Sequence, residues 1–74
     1  MTKEEFAIAY RQNALTVTGK APAVHEIERS YRACLALAEI TRASEWELSV
    51  EKDEDGQPVQ CFKVVRRVSD GIRP

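Results

Sequence analysis

The spacing of apolar residues changes along the chain from a helical period to strict alternation. Apolar side chains recur every three to four residues over residues 3–14 and again over residues 21–41, which predicts two helices. Residues 45–51 alternate between apolar and polar side chains, and residues 59–68 are rich in valine, so both segments are predicted to be β-strands. This order predicts an α+β fold in which two helices precede a two-stranded antiparallel β-hairpin packed on them.

Local sequence signals set the expected ends of the helices. Thr2 and Glu5 have the spacing of a capping box, in which a hydroxyl and a carboxylate each satisfy a backbone N–H at the helix start. The β-branched residues 16–18, followed by Gly19, are predicted to end the first helix. Ala21 and Pro22 are predicted to open the second helix, with the proline near its first turn, where its missing N–H costs nothing.

The second helix has one continuous apolar stripe, which is predicted to face the core. Its members at helical spacing are Val24, Ile27, Tyr31, Cys34, Leu35, Ala38 and Thr41. On the polar side, Glu28 with Arg32 and Glu26 with Arg29 have the spacing of weakly stabilising ion pairs. The second half of this helix is apolar on nearly every side, so we expect more than one neighbour to cover it.

Two turn geometries compete in the hairpin, and they pair the strands differently. A two-residue turn at residues 55–56 and a three-residue loop at residues 54–56 differ in register by one residue, which exchanges the two faces. The three-residue loop, with Gly56 in a left-handed conformation, gathers the large apolar side chains on one face, so it is the predicted geometry. Its predicted pairs are Leu48 with Phe62, Trp46 with Val64, and Glu47 with Lys63.

Chain length and composition bound the size and the setting of the protein. Its 74 residues are predicted to form one small domain over residues 1–68, with residues 69–74 as a flexible C-terminal tail. The start of the chain is polar, and no apolar run is long enough to span a bilayer, so no membrane association and a cytoplasmic location are expected. In that compartment Cys34 and Cys61 are expected to be free thiols.

No catalytic residue, metal site or cofactor is predicted. His25 is the single histidine, and neither it nor the two cysteines have neighbours at the spacing of metal ligands. Residues 18–20 read like the end of a phosphate-binding loop, but Ala14 stands where that loop needs its first glycine. No set of nucleophile, base and orienting group can be assembled, so an enzyme is not expected.

Three apolar sets exceed what one layer of two helices and two strands covers. They are Ile8 and Leu15 on the first helix, Leu37 and Ile40 on the second helix, and Val59, Cys61 and Val65 on the outer face of the hairpin. Contiguous exposed apolar side chains indicate an interface. The leading hypothesis is therefore a non-enzymatic protein-binding regulator, inhibitor or accessory factor that self-associates as a homodimer.

The alternative hypothesis is a small regulator that binds nucleic acid. Its contacts would come from a basic C-terminal strand and one face of the second helix, through Lys63, Arg66, Arg67, Arg29 and Arg32. The formal net charge of −1 disfavours this function, because phosphate contacts supply much of the affinity of such proteins. Glu45 and Glu47, predicted on the same hairpin face as Lys63, would also repel phosphate.

Overall fold

The predicted order of elements is confirmed in the computed structural model, which describes residues 1–68. Two helices precede two strands: α1 (Lys3–Thr18), α2 (Val24–Thr41), β1 (Ala43–Lys52) and β2 (Pro58–Arg67). The strands form an antiparallel two-stranded sheet, and both helices contact both strands. The fold is α+β with ααββ order. The predicted tail, residues 69–74, lies outside the described residues.

Helix α1 begins with the predicted capping box. The backbone N–H of Glu5 donates to Thr2 Oγ1 at 3.1 Å, and the backbone N–H of Thr2 donates to Glu5 Oε1 at 2.8 Å. These hydrogen bonds lower the pKa of the Glu5 carboxyl below its ordinary value, with the backbone donor as the larger cause. The first turn is therefore fixed by side chains that are local in sequence.

Helix α1 ends later than the sequence predicts. The predicted end at residue 14 is wrong, because the helix continues through the β-branched segment to Thr18. The hydroxyls of Thr16 and Thr18 donate to the carbonyls of Gln12 and Ala14 at 3.2 and 2.9 Å, so both side chains are accommodated within the helix. Gly19 then adopts a left-handed conformation with φ 77° and closes the helix, as predicted.

Helix α2 begins one residue after its N-cap, Ala23, which makes no side-chain capping hydrogen bond. The predicted opening at Ala21 and Pro22 is wrong, because both residues precede the N-cap. Proline fits extended backbone as well as a helix start, and the chain is still extended at Ala23 (φ −72°, ψ 155°). The helix ends at Thr41. The next residue, Arg42, has a left-handed conformation (φ 59°), and its backbone N–H donates to the carbonyls of Ala38 and Glu39.

The hairpin has the predicted register and loop. Leu48 lies opposite Phe62, Trp46 opposite Val64, and Glu47 opposite Lys63. The Gly56 N–H donates to the Asp53 carbonyl at 3.0 Å, and the Asp53 N–H donates to the Gln57 carbonyl at 2.9 Å, which closes a three-residue loop. Gly56 has φ 78°, so the loop contains the expected left-handed glycine. The Asp53 carboxylate also accepts the N–H groups of Asp55 and Gln57.

The core is a small aromatic cluster between the helices and one face of the hairpin. Phe6 is fully buried, and Cys34 and Trp46 are the other buried apolar residues within residues 1–68. The Phe6 ring lies 5.5 Å from Tyr10, 5.2 Å from Tyr31 and 6.0 Å from Trp46, measured between ring centroids. These separations are typical of attractive aromatic pairs. Each of the helices, and β1, therefore contributes a ring to one cluster.

Part of the stripe predicted to face the core from α2 is exposed instead. Val24 is 75% exposed and Leu35 is 42% exposed, whereas Cys34 is buried and Ile27 and Tyr31 pack against the cluster. Val24 is the first residue of α2, and Leu35 lies on one flank of the stripe. A sheet of two strands is too narrow to cover so wide a stripe, so its edges remain in solvent.

Neither predicted ion pair within α2 forms, because both glutamates bind α1 instead. Glu28 lies 3.1 Å from Lys3 Nζ, and the Tyr10 hydroxyl donates to Glu26 Oε2 at 3.2 Å. Asn13 of α1 donates in turn to Gln60 Oε1 of β2 at 3.0 Å. Polar side chains on the rim of the core thus connect α1 to both of its neighbours.

Candidate protein-binding surfaces

The outer face of the hairpin carries one of the three predicted apolar sets. Trp46, Leu48 and Phe62 pack towards the helices. Because side chains alternate along a strand, Cys61 and Val59 point to the opposite face, which no element within residues 1–68 covers. Val65 has no opposite partner, because the register shifts between Glu45 and Trp46, which is the mark of a β-bulge.

This outer face is mixed in character rather than apolar. Val65 is exposed, whereas Val59 and Cys61 are half-buried. Glu47 lies opposite Lys63 in the register. Glu45 Oε1 lies 3.7 Å from Arg66 Nε. Charges of opposite sign therefore face each other across the hairpin, as expected for a solvated face.

The predicted apolar set on α1 does not form a continuous patch. Ile8 is 61% exposed and Leu15 is 44% exposed. They are seven positions apart in the helix, which corresponds to roughly 10 Å along the axis. Arg11 and Gln12, both exposed, occupy the surface between them. Ile8 and Leu15 therefore read as separate surface residues.

The predicted apolar set on α2 is larger than the sequence indicated. Leu37 is 41% exposed and Ile40 is 76% exposed, and Ala33 and Ala36 beside them are exposed as well. These four residues have the spacing i, i+3, i+4, i+7, so they form one apolar stripe on the side of α2 away from Cys34. We call this stripe the α2 outer stripe. The sequence shows the spacing of the two alanines, whereas their exposure depends on which face of α2 the hairpin covers.

A shallow apolar groove lies where three elements meet, and sequence reasoning missed it. Its volume is about 460 Å³, and its apolar lining consists of Leu35, Ala38, Ala43, Trp46 and Val68. These residues are far apart in sequence and come together only because α2, β1 and the end of β2 converge. No local pattern in the sequence could have revealed this groove.

The two thiols are free but lie in different environments. Cys34 is buried in the core, and this burial raises the pKa of its thiol above the ordinary value. Cys61 is half-buried on the outer hairpin face, and its sulfur lies 3.9 Å from the Val59 carbonyl oxygen. Cys34 therefore acts as a small apolar core residue.

The cations proposed for nucleic-acid binding are not brought together. Lys63 lies on the outer face of the hairpin, and Arg66 lies near Glu45. Helical spacing places Arg29 and Arg32 on the side of α2 away from the buried Cys34, and the Cys34 side packs on the rest of the fold. The two groups of cations therefore lie on opposite sides of the molecule.

The described residues offer little to suggest other chemistry. No group of three or more His, Cys, Asp or Glu side chains is placed to hold a metal ion within residues 1–68. His25 is exposed in the first turn of α2. Neither helix in this part of the chain is long and apolar enough to cross a membrane. Comparison with known protein families, curated proteins and solved structures finds no match.

Proposed function

We propose that this protein is a non-enzymatic protein-binding module whose first partner is a second copy of itself. The observation that carries this proposal is the imbalance between its core and its surface. Within residues 1–68, three apolar residues are buried, whereas nine large apolar residues are exposed. The buried set is unusually small for a domain that must offset its conformational entropy by burying apolar area.

As a module without a catalytic constellation, the protein would act by occupying a surface of its partner. We therefore place it among small regulators, inhibitors and accessory factors of other proteins, acting in the cytoplasm. This part of the proposal rests on the small size of the chain and on the absence of a reactive cluster in residues 1–68.

Size-exclusion chromatography with light scattering tests the self-association. We expect a mass near twice the monomer mass at tens of micromolar, about the concentration at which a modest interface saturates, and a lower mass on dilution. A monomer mass at every concentration would overturn self-association and would leave the apolar surfaces to a different protein.

The nucleic-acid alternative stays a prediction. It is tested by binding to random DNA and RNA at low and physiological salt, since phosphate contacts weaken steeply as salt rises. The charge pairing across the hairpin and the separation of the cations do not favour it.

A further inference from the structure

The geometry points to the α2 outer stripe as the surface that binds the second copy, with the two α2 helices packed antiparallel. We propose that Ala33, Ala36, Leu37 and Ile40 of each chain form the centre of this interface. Each Arg32 then lies beside the Glu39 of the second copy. This inference rests on the self-association proposed above and adds its surface and its orientation.

The shape of the stripe suits a close helix pair. Ala33 and Ala36 have small side chains, so a second helix can approach to the short end of the usual 8–10 Å axis separation. Ile40 and Leu37 project beside them and can fill the space over the alanines of the second copy. In an antiparallel pair centred between residues 36 and 37, Ile40 of one chain falls over Ala33 of the other.

The charges beside the stripe select one orientation. Arg32 and Glu39 are seven residues apart, so they lie on the same flank of α2, and both are exposed. Neither forms an ion pair within residues 1–68. Antiparallel packing brings Arg32 of each chain to Glu39 of the other, which forms two symmetric pairs. Parallel packing would instead place the two copies of this flank on opposite edges of the interface, so that Arg32 and Glu39 of different chains would not meet.

Arg29 adds a second reason to reject the parallel orientation. It continues the α2 outer stripe by one turn towards the start of the helix and is exposed. A parallel pair would place the two Arg29 side chains against each other. In the antiparallel pair each Arg29 lies near the C-terminal end of the other helix, which the backbone of Arg42 caps. A cation is favoured at that end by the helix dipole.

Other apolar sets are less suited to a second copy. On the outer hairpin face, Glu47 and Lys63 already lie opposite each other, and burial under a partner would desolvate them. Ile8 and Leu15 are separated by Arg11 and Gln12. Among the three predicted apolar sets, which all lie within residues 1–68, the α2 outer stripe alone combines contiguous apolar residues with flanking charges that complement a second copy.

A charge exchange between Arg32 and Glu39 tests the inference by sedimentation. We expect Arg32→Glu and Glu39→Arg each to raise the dissociation constant of the dimer about tenfold, because each replaces two attractive contacts with two repulsive ones. The double variant should return to within about threefold of the original protein. Arg11→Glu, which makes the same charge change on the exposed side of α1, is the matched control and should change nothing.

The outcomes separate this inference from the proposed function. If the original protein dimerises and none of the α2 variants weakens the dimer, the interface lies elsewhere, and self-association stands. If the single variants weaken the dimer but the double variant does not recover, the antiparallel orientation is wrong. If the original protein is a monomer under the same conditions, self-association fails and the inference fails with it.

Cross-linking gives a second readout that does not depend on charge. In chains where Cys61→Ser removes the half-buried thiol, a mixture of Ala33→Cys and Ile40→Cys proteins should form a mixed disulfide on mild oxidation. Leu15→Cys, on the outer side of α1, is the control and should remain uncross-linked. Cross-linking of Ala33→Cys only to itself would indicate a parallel pair and would overturn the inference.

Discussion

Phe6 shows how much of this small fold depends on single side chains. Its ring is fully buried and contacts Tyr10 of its own helix, Tyr31 of α2 and Trp46 of β1. Phe62 extends the cluster, since its ring lies 5.2 Å from that of Trp46. Because so few residues are buried within residues 1–68, the contacts of one ring make up a large share of the packing in the core.

Replacement of Phe6 by leucine should therefore destabilise the fold, although both side chains are large and apolar. We expect the free energy of unfolding to fall by about 1–2 kcal/mol, since the change removes ring contacts and leaves a small cavity. Ile8→Ala, two residues away on the exposed side of α1, is the matched control and should change it by less than about 0.5 kcal/mol. Urea unfolding followed by circular dichroism measures both, and equal losses would contradict the central place of Phe6.

At the scale of elements, local patterns in the sequence predicted the parts whose geometry is local. The capping box of α1 and the three-residue hairpin loop both follow from residues within a few positions of each other. The end of α1 could not be predicted in this way. β-branched residues lower helix propensity only slightly, and the hydroxyls of Thr16 and Thr18 bond to carbonyls of their own helix, so this segment does not end it.

The hairpin loop offers a test at this scale through Gly56. Its φ of 78° lies in the left-handed region, and a Cβ added there would meet nothing within 4 Å. The cost of Gly56→Ala should therefore be conformational alone, about 1–2 kcal/mol of unfolding free energy. Gly56→Asn should cost less, because asparagine tolerates this conformation better.

Thermal and urea unfolding measure both Gly56 variants, with Gln57→Ala as an exposed neighbouring control. An alanine variant as stable as the original protein would mean that Gly56 is not held in a left-handed conformation. The three-residue loop and the register that it fixes would then be wrong.

At the scale of the whole molecule, periodicity predicted the ααββ order, but the extent of the core depended on tertiary packing. Val24 and Leu35 have the helical spacing that is typical of core residues, yet they are exposed. Their burial depends on the width of the sheet that covers α2, and the spacing of residues within one helix does not predict that width. The groove lined by Leu35, Trp46 and Val68 is likewise a product of three converging elements. The α2 outer stripe was only partly predicted, since the exposure of its alanines depends on which face the hairpin covers.

These features lead to one claim about the whole molecule, that a second copy contributes to its stability. A chain with a small core and an apolar stripe left in solvent is stabilised by any partner that binds its folded state and not its unfolded state. For self-association, that stabilisation must depend on the concentration of the protein itself.

The melting temperature measured across about two decades of protein concentration tests this claim most directly. We predict that the melting temperature of the original protein rises steadily with its concentration, and that Arg32→Glu reduces the rise while Arg11→Glu does not. A melting temperature that stays constant over the whole range, with a single cooperative transition, would contradict the account.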